Sequence, residues 1–187
     1  MRTTIRWDCF TLRASLAMTH FVSMSAKQKN LSTHKEFEAP HAAKFKIAIA
    51  VSEYNEEITF ALRDGAIKTL KDHGVKEKNI IVKLVPGAFE LPLAASWLYE
   101  YEDADAVICL GCVIKGDTDH DIYINNAVSK AIMDLGLEAG APFVFGVVTP
   151  NNHQQAVDRA GGKHGNKGVE CAVATLKMLE LKAELKK

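Results

Sequence analysis

From Phe45 onward, apolar positions alternate between two periods. Phe45-Lys-Ile-Ala-Ile-Ala-Val-Ser52 is a near-continuous apolar run of strand length, as in strands covered on both sheet faces. From Asn55 to Gly74, residues Ile58, Ala61, Leu62, Ala66, Ile67 and Leu70 recur at helical spacing, and Gly74 supplies a stop. Asn79 to Val85 reads as a second strand closed by Pro86-Gly87, and a helix is predicted from about Glu90 through Tyr101. Val107 to Ile114 is a third strand that breaks at Gly116 into a polar loop carrying His120. Helical spacing resumes near Tyr123 and lasts to Ala139. Pro142 to Thr149 is a fourth strand, and Pro150 opens a short helix to about Ala160. Val169, Ala172, Val173, Leu176 and Leu179 mark a final long helix.

Four alternations of strand and helix are the signature of right-handed βαβ units. The expected fold is α/β: a flavodoxin-like, doubly wound sandwich with a four-stranded parallel sheet and helices on both faces. One domain suits 187 residues of near-average composition, expected over 43–187. Residues 1–42 are expected to be an extension. Met1 to Leu16 holds three arginines and only Asp8 as an acid, faintly like an organelle transit peptide. An over-called start or a mobile arm accounts for it, and little packed core is expected before Ala43.

Zero formal net charge argues against a nucleic-acid partner, and no apolar run approaches the length of a membrane span. Four irregularly placed cysteines suggest no disulfide framework, which fits a cytoplasmic setting. Cys109-Leu-Gly-Cys112 has CxxC spacing, but positions three apart on a strand face opposite ways. Asp117-Thr-Asp-His-Asp121 begins like a calcium loop, yet Ile122 stands where glycine is needed and Val128 where glutamate is needed. No metal is expected.

Strand ends are where open α/β sheets place ligands. His120 sits there among Lys115, Asp117, Thr118 and Asp119, as either a proton-transfer group or one residue of a solvated loop. Tyr54 follows strand one, as a ring for stacking or a core tyrosine with a satisfied hydroxyl. Pro86-Gly-Ala-Phe-Glu90 follows strand two; Glu90 either accepts from ligand hydroxyls or complements a helix dipole. Arg159-Ala-Gly-Gly-Lys-His-Gly-Asn-Lys167 combines three glycines and three cations, so free amides and side chains can converge on an anion such as phosphate. Its alternative is a helix cap with a solvated turn.

Five runs together resemble the lumazine synthase family. They are Ser52–Thr59, Pro86-Gly-Ala-Phe-Glu-Leu-Pro92, Leu110 through His120 with Tyr123, Phe145-Gly-Val-Val-Thr149, and Arg159 through Gly168. The resemblance covers roughly Phe45 to Leu179. It implies condensation of 5-amino-6-(D-ribitylamino)uracil with 3,4-dihydroxy-2-butanone 4-phosphate to 6,7-dimethyl-8-ribityllumazine, with loss of phosphate and water and no cofactor. Carried onto this chain, His120 is the proton-transfer group. Arg159 is the phosphate anchor, helped by Gly116-Asp117-Thr118. Tyr54 stacks on the pyrimidine, while Ala88, Phe89 and Glu90 hold the ribityl side. Cys112, Val113 and Ile114 line the pocket, and Phe145, Lys167 and Glu170 complete it from a neighbouring subunit.

The family usually has Phe or Trp where Tyr54 stands. Asp119 and Asp121 flank His120, and nearby carboxylates tend to raise a histidine pKa. The resemblance further implies a homo-oligomer, either a pentamer or twelve pentamers forming an icosahedral capsid, with the latter expected here. The polar segment before Phe45 is expected to pair with a neighbouring sheet. A riboflavin synthase of the archaeal type, a flavin carrier and a structural shell protein are the competing readings. Phosphate release, tight flavin colour and the presence of the pocket residues distinguish them.

Overall fold

The computed structural model describes residues 30–186; the reading of the first 29 as a mobile or mis-started extension lies outside them. Four parallel strands form one sheet in the order β2-β1-β3-β4: β1 Ile47–Ser52, β2 Ile80–Val85, β3 Ala106–Cys112 and β4 Phe143–Val148. Among the described residues five α-helices connect and cover them: α1 Glu56–Asp72, α2 Leu91–Tyr101, α3 His120–Ala139, α4 His153–Arg159 and α5 Lys167–Leu185. Ile49 lies in register with Val82 on one side and Ile108 on the other, and Cys109 with Phe145. This is the doubly wound, flavodoxin-like order.

Every residue of β1 and β3 is buried, which is why both read as unbroken apolar runs. The period of two then sorts their side chains between two cores. Ile47, Ile49, Val51, Ile108 and Leu110 face α1 and α5, against Ile58, Leu62, Leu70, Leu176 and Leu179. Ala48, Ala50, Val107 and Cys109 face α2 and α3, against Leu91, Leu98, Val128 and Ile132. Each fully buried Ile or Leu contributes about 1.5–3 kcal/mol of apolar transfer. Cys109 and Cys112 fall in opposite cores, so their CxxC spacing brings no pair together.

Several boundaries differ from the sequence expectation. The third strand ends at Cys112, two residues early, and α3 starts at His120, three residues before Tyr123. His120 therefore stands on the first turn of a helix, not in the loop. The short fourth helix begins at His153, because Asn152 rather than Pro150 supplies the cap, accepting from the Gln155 amide.

Packed structure also reaches further toward the N-terminus than expected. Ala42 is buried, and Phe37 and Ala39 pack on the α1/α5 core. Phe37 stacks on His73, with ring centroids 4.7 Å apart. Glu180, buried on α5, accepts the His41 amide at 2.8 Å and meets its Nδ1 at 2.6 Å. Residues 30–41 thus run against the chain's own helices. Those residues form no strand in this chain.

Candidate functional site

With β1 and β3 adjacent and their connections leaving in opposite directions, a crevice opens above their carboxyl ends. Asn55 shapes its first wall. Held at φ 59°, it donates from Nδ2 to the Cys112 carbonyl at 3.0 Å, which ties the β1–α1 turn to the end of β3. Tyr54, the residue before it, projects with 71% of its surface exposed, so its ring is free to meet a ligand face. The core-tyrosine alternative is thereby excluded.

The second wall follows β2. A 3-10 turn, Ala88–Glu90, delivers the chain into α2, and Phe89 stays largely exposed. Cys112, Val113 and Ile114 form the floor; the Val113 amide donates to the Val148 carbonyl at 2.9 Å, continuing the ladder past the strand. The rim is Gly116, Thr118 and the first turn of α3. Together these enclose a cleft of about 370 Å³ lined by Tyr54, Gly87, Ala88, Phe89, Glu90, Cys112, Val113, Ile114, Gly116, Thr118, His120, Asp121 and Ile124.

Eleven of those thirteen were expected from sequence or sit in the expected runs; Asp121 and Ile124 were missed because α3 begins earlier than its apolar spacing announces. The signal was Asp119, a good N-cap residue directly before His120. Asp117 was expected at the site, yet it is exposed and outside the cleft lining.

Two features give this cleft chemical capacity. The amides of Thr118, Asp119, His120 and Asp121 donate to no carbonyl or side chain among the described residues. They crown a 20-residue helix, whose N-terminus carries partial positive charge suited to an anion. The imidazole of His120 is exposed and forms no ion pair or hydrogen bond among the described residues, with neither Asp119 nor Asp121 engaging it, so both ring nitrogens are uncommitted. Cys112 is a wall and not a nucleophile, since burial pushes its thiol pKa up to about 12.

Arg159, Lys167, Glu170 and Phe145 do not line this cleft. Arg159 and Lys167 belong to a second one, of about 410 Å³, beside the carboxyl end of edge strand β4, with Val147, Val148, Thr149, Pro150, Gln155 and His164. Arg159 ends α4 and donates from Nη1 to the His164 carbonyl at 3.0 Å. Glu170, one turn into α5, divides its carboxylate: Oε1 lies 2.7 Å from Arg159 Nη2 and Oε2 lies 3.3 Å from Lys167 Nζ. The first approach is an ion pair whose angles fall short of a hydrogen bond. Two cations against one carboxylate leave the cleft positive. Phe145 lies on β4, partly buried against the α2/α3 core and outside both clefts.

The glycine-rich run differs from expectation in one respect. Free backbone amides were to join the cations there, but the amides of Gly161, Gly162, His164 and Gly165 donate to the carbonyls of Gly165, Val157, Asp158 and Gly162. Asn166 takes the Gly168 and Val169 amides at the start of α5. The loop is built by its own hydrogen bonds, so its anion-binding capacity rests in the side chains of Arg159 and Lys167.

Among the described residues no helix is long and apolar enough to cross a membrane. Residues 44–183 match the family model described as 6,7-dimethyl-8-ribityllumazine synthase. Similar proteins carry the same printed name. One from Cytophaga hutchinsonii is 51% identical over 156 residues, covering 83% of this chain and 98% of the relative. One from Bacteroides fragilis is 51% identical over 142 residues, covering 76% and 99%. Another, from Flavobacterium psychrophilum, is 42% identical over 161 residues, covering 86% and 85%.

Proposed function

The chain belongs to the 6,7-dimethyl-8-ribityllumazine synthase family, and from that premise we propose how its two clefts divide the work of the reaction. The activity is a transferase reaction of riboflavin biosynthesis: 5-amino-6-(D-ribitylamino)uracil condenses with 3,4-dihydroxy-2-butanone 4-phosphate, releasing phosphate and water.

In our reading the first cleft holds the pyrimidine. Tyr54 stacks on its ring, and Glu90, with the Ala88–Phe89 backbone, accepts from the ribityl hydroxyls. His120 stands beside the reacting carbonyl. Imine formation, phosphate elimination and ring closure each move a proton near neutral pH, and one imidazole open to both sides can serve them in turn. The uncommitted amides around His120 receive the phosphate from one side. Arg159, oriented by Glu170 and assisted by Lys167, receives it from the other.

The observation carrying this proposal is the separation of the two groups on one chain: His120 lines one cleft and Arg159 the other. A site that needs both is assembled when β4 of one subunit, with its cationic cleft and Phe145, meets the His120 cleft of the next. Large exposed apolar residues support such a contact, including Phe89, Leu93, Trp97, Tyr101, Ile122 and Tyr123. We therefore read the protein as a homo-oligomer of pentamers in the cytoplasm, with twelve pentamers as the expected assembly. Analytical ultracentrifugation finding pentamer mass alone at micromolar concentration would count against the capsid.

The test mixes two variants. His120→Asn and Arg159→Ala are each assayed for lumazine absorbance and phosphate release, then co-expressed. Mixed oligomers contain interfaces that pair an intact His120 cleft with an intact Arg159 cleft, so activity rises above that of either variant. Activity no greater than the sum of the separate variants would reject the shared site.

A further inference from the structure

We propose that the turn Asn30-Leu31-Ser32 is a positioning element for the phosphate-binding cations, with Ser32 as its principal residue. The proposal rests on the reading of Arg159 and Lys167 as the phosphate anchors.

The turn lies against the Gly161–Asn166 loop, far away in sequence. Ser32 Oγ donates to the Asn166 carbonyl at 3.0 Å and accepts the Asn166 amide, so one hydroxyl grips both backbone groups of a single residue. Asn166 is the hub of this region. Its Oδ1 caps α5 by accepting the Gly168 and Val169 amides at 2.8 and 3.3 Å. Its Nδ2 donates to the carbonyls of Ala61 and Ala160, at 2.8 and 3.2 Å. Lys167 follows Asn166 directly, and Ala160 follows Arg159. Holding Asn166 therefore fixes the backbone next to both cations at one point.

A second bond acts on Arg159 itself. The Leu31 amide donates to the His164 carbonyl at 3.1 Å, the same oxygen that receives Arg159 Nη1 at 3.0 Å. The fit admits no side chain between the turn and the loop. Gly165 has φ +84°, and a Cβ there would lie 2.9 Å from Ser32 Cβ and closer still to Ser32 Oγ and Asn30 Oδ1. The amides of Gly161, Gly162, His164 and Gly165 are already spent within the loop, which leaves the placement of the side chains to tune. An anchor held in place before binding loses less conformational freedom when phosphate arrives.

The full-length enzyme is assayed as Ser32→Ala, Ser32→Thr, Thr33→Ala and Arg159→Ala, with inorganic phosphate as a competing inhibitor. Ser32→Ala raises the KM for the butanone phosphate and the inhibition constant of phosphate about five- to tenfold, the scale of one or two lost hydrogen bonds. The KM for the pyrimidine stays within about twofold, Ser32→Thr restores most of the loss by keeping the hydroxyl, and Thr33→Ala behaves as the parent. Ser32→Cys, close in volume but a weak donor, is carried alongside in case the alanine variant does not fold.

The proposal is overturned if Ser32→Ala and Ser32→Cys leave both phosphate constants unmoved while Arg159→Ala raises them. It is equally overturned by a loss in kcat with neither KM changed, the pattern of general destabilisation. If Arg159→Ala itself leaves the phosphate constants unmoved, the anchor reading fails first and this proposal with it.

Discussion

Gly168 in the first turn of α5 sits where that helix meets α1, and replacing it with alanine tests how packing sets the site. A Cβ at Gly168 would lie 2.7 Å from the Leu62 carbonyl carbon and closer still to its oxygen. Carbon–carbon contacts are optimal near about 3.5–4.0 Å, so the helices must part by about 1 Å. The obstacle is backbone in the middle of another helix, and it cannot rotate away as a side-chain tip could. Overpacking of this kind costs typically about 1–3 kcal/mol, and a backbone clash belongs at the top of that range. Alanine returns up to about 1 kcal/mol through its higher helix propensity. The clash wins, leaving a net loss of about 2 kcal/mol, or a Tm lower by about 4–8 °C for a chain of this size. Parting the helices also shifts the Asn166 cap and Lys167, so the KM for the butanone phosphate rises along with the loss of stability. Thermal melts monitored by circular dichroism, at one fixed protein concentration because assembly adds to apparent stability, supply the measurement. A Tm at or above that of the parent would refute the reasoning.

Arg159→Ala removes a charged donor and leaves Glu170 facing Lys167 alone. Loss of a charge-assisted contact to phosphate raises the KM for the butanone phosphate by about 10- to 100-fold, with the pyrimidine KM little changed, as read from steady-state kinetics in both substrates. His120→Asn slows turnover by about a hundredfold without abolishing it, because positioning of the two substrates survives; a kcat equal to the parent's would remove His120 from the chemistry. Burial pushes the thiol pKa of Cys112 and of Cys171 up to about 12, and that of Cys109 up as well. In a Cys9→Ser variant, Ellman's reagent at pH 8 therefore finds no fast-reacting thiol until the protein is unfolded. The linked stability has a definite sign. Above the unfolded thiol pKa of about 8.5 the native state holds more protons, so stability is level below that pH and falls as pH rises beyond it. Urea midpoints that rise from pH 8 to pH 10 would contradict this.

Much of the fold was legible because its signals are local. The apolar runs of β1 and β3 state that both sheet faces are covered, and the period of two states which residues share a face. Strand ends carry the candidate chemistry, so Tyr54, Glu90 and His120 stand out in the sequence, and the structure gathers them around one cleft. The start of α3 was misplaced for an equally local reason. Asp117-Thr-Asp119 reads as loop, and the apolar spacing of α3 shows only from Ile122–Tyr123 onward, so nothing apolar marks the turn at His120.

What tertiary structure alone decided is how distant segments satisfy one another's polar groups. Glycines and cations in the 159–167 run suggested an amide nest, and composition could not disclose that those amides already close the loop upon itself. Nor could it disclose that Ser32 bonds a residue 134 positions away, or that Glu170 binds Arg159 and Lys167 together. Side-chain periodicity follows from the geometry of one chain segment, so sequence carries it. Hydrogen-bond pairing between loops depends on the order in which strands assemble and on where helices cross. The sequence by itself determined a doubly wound sheet and the residue types of its site; the three-dimensional packing decided that His120 and Arg159 face different clefts.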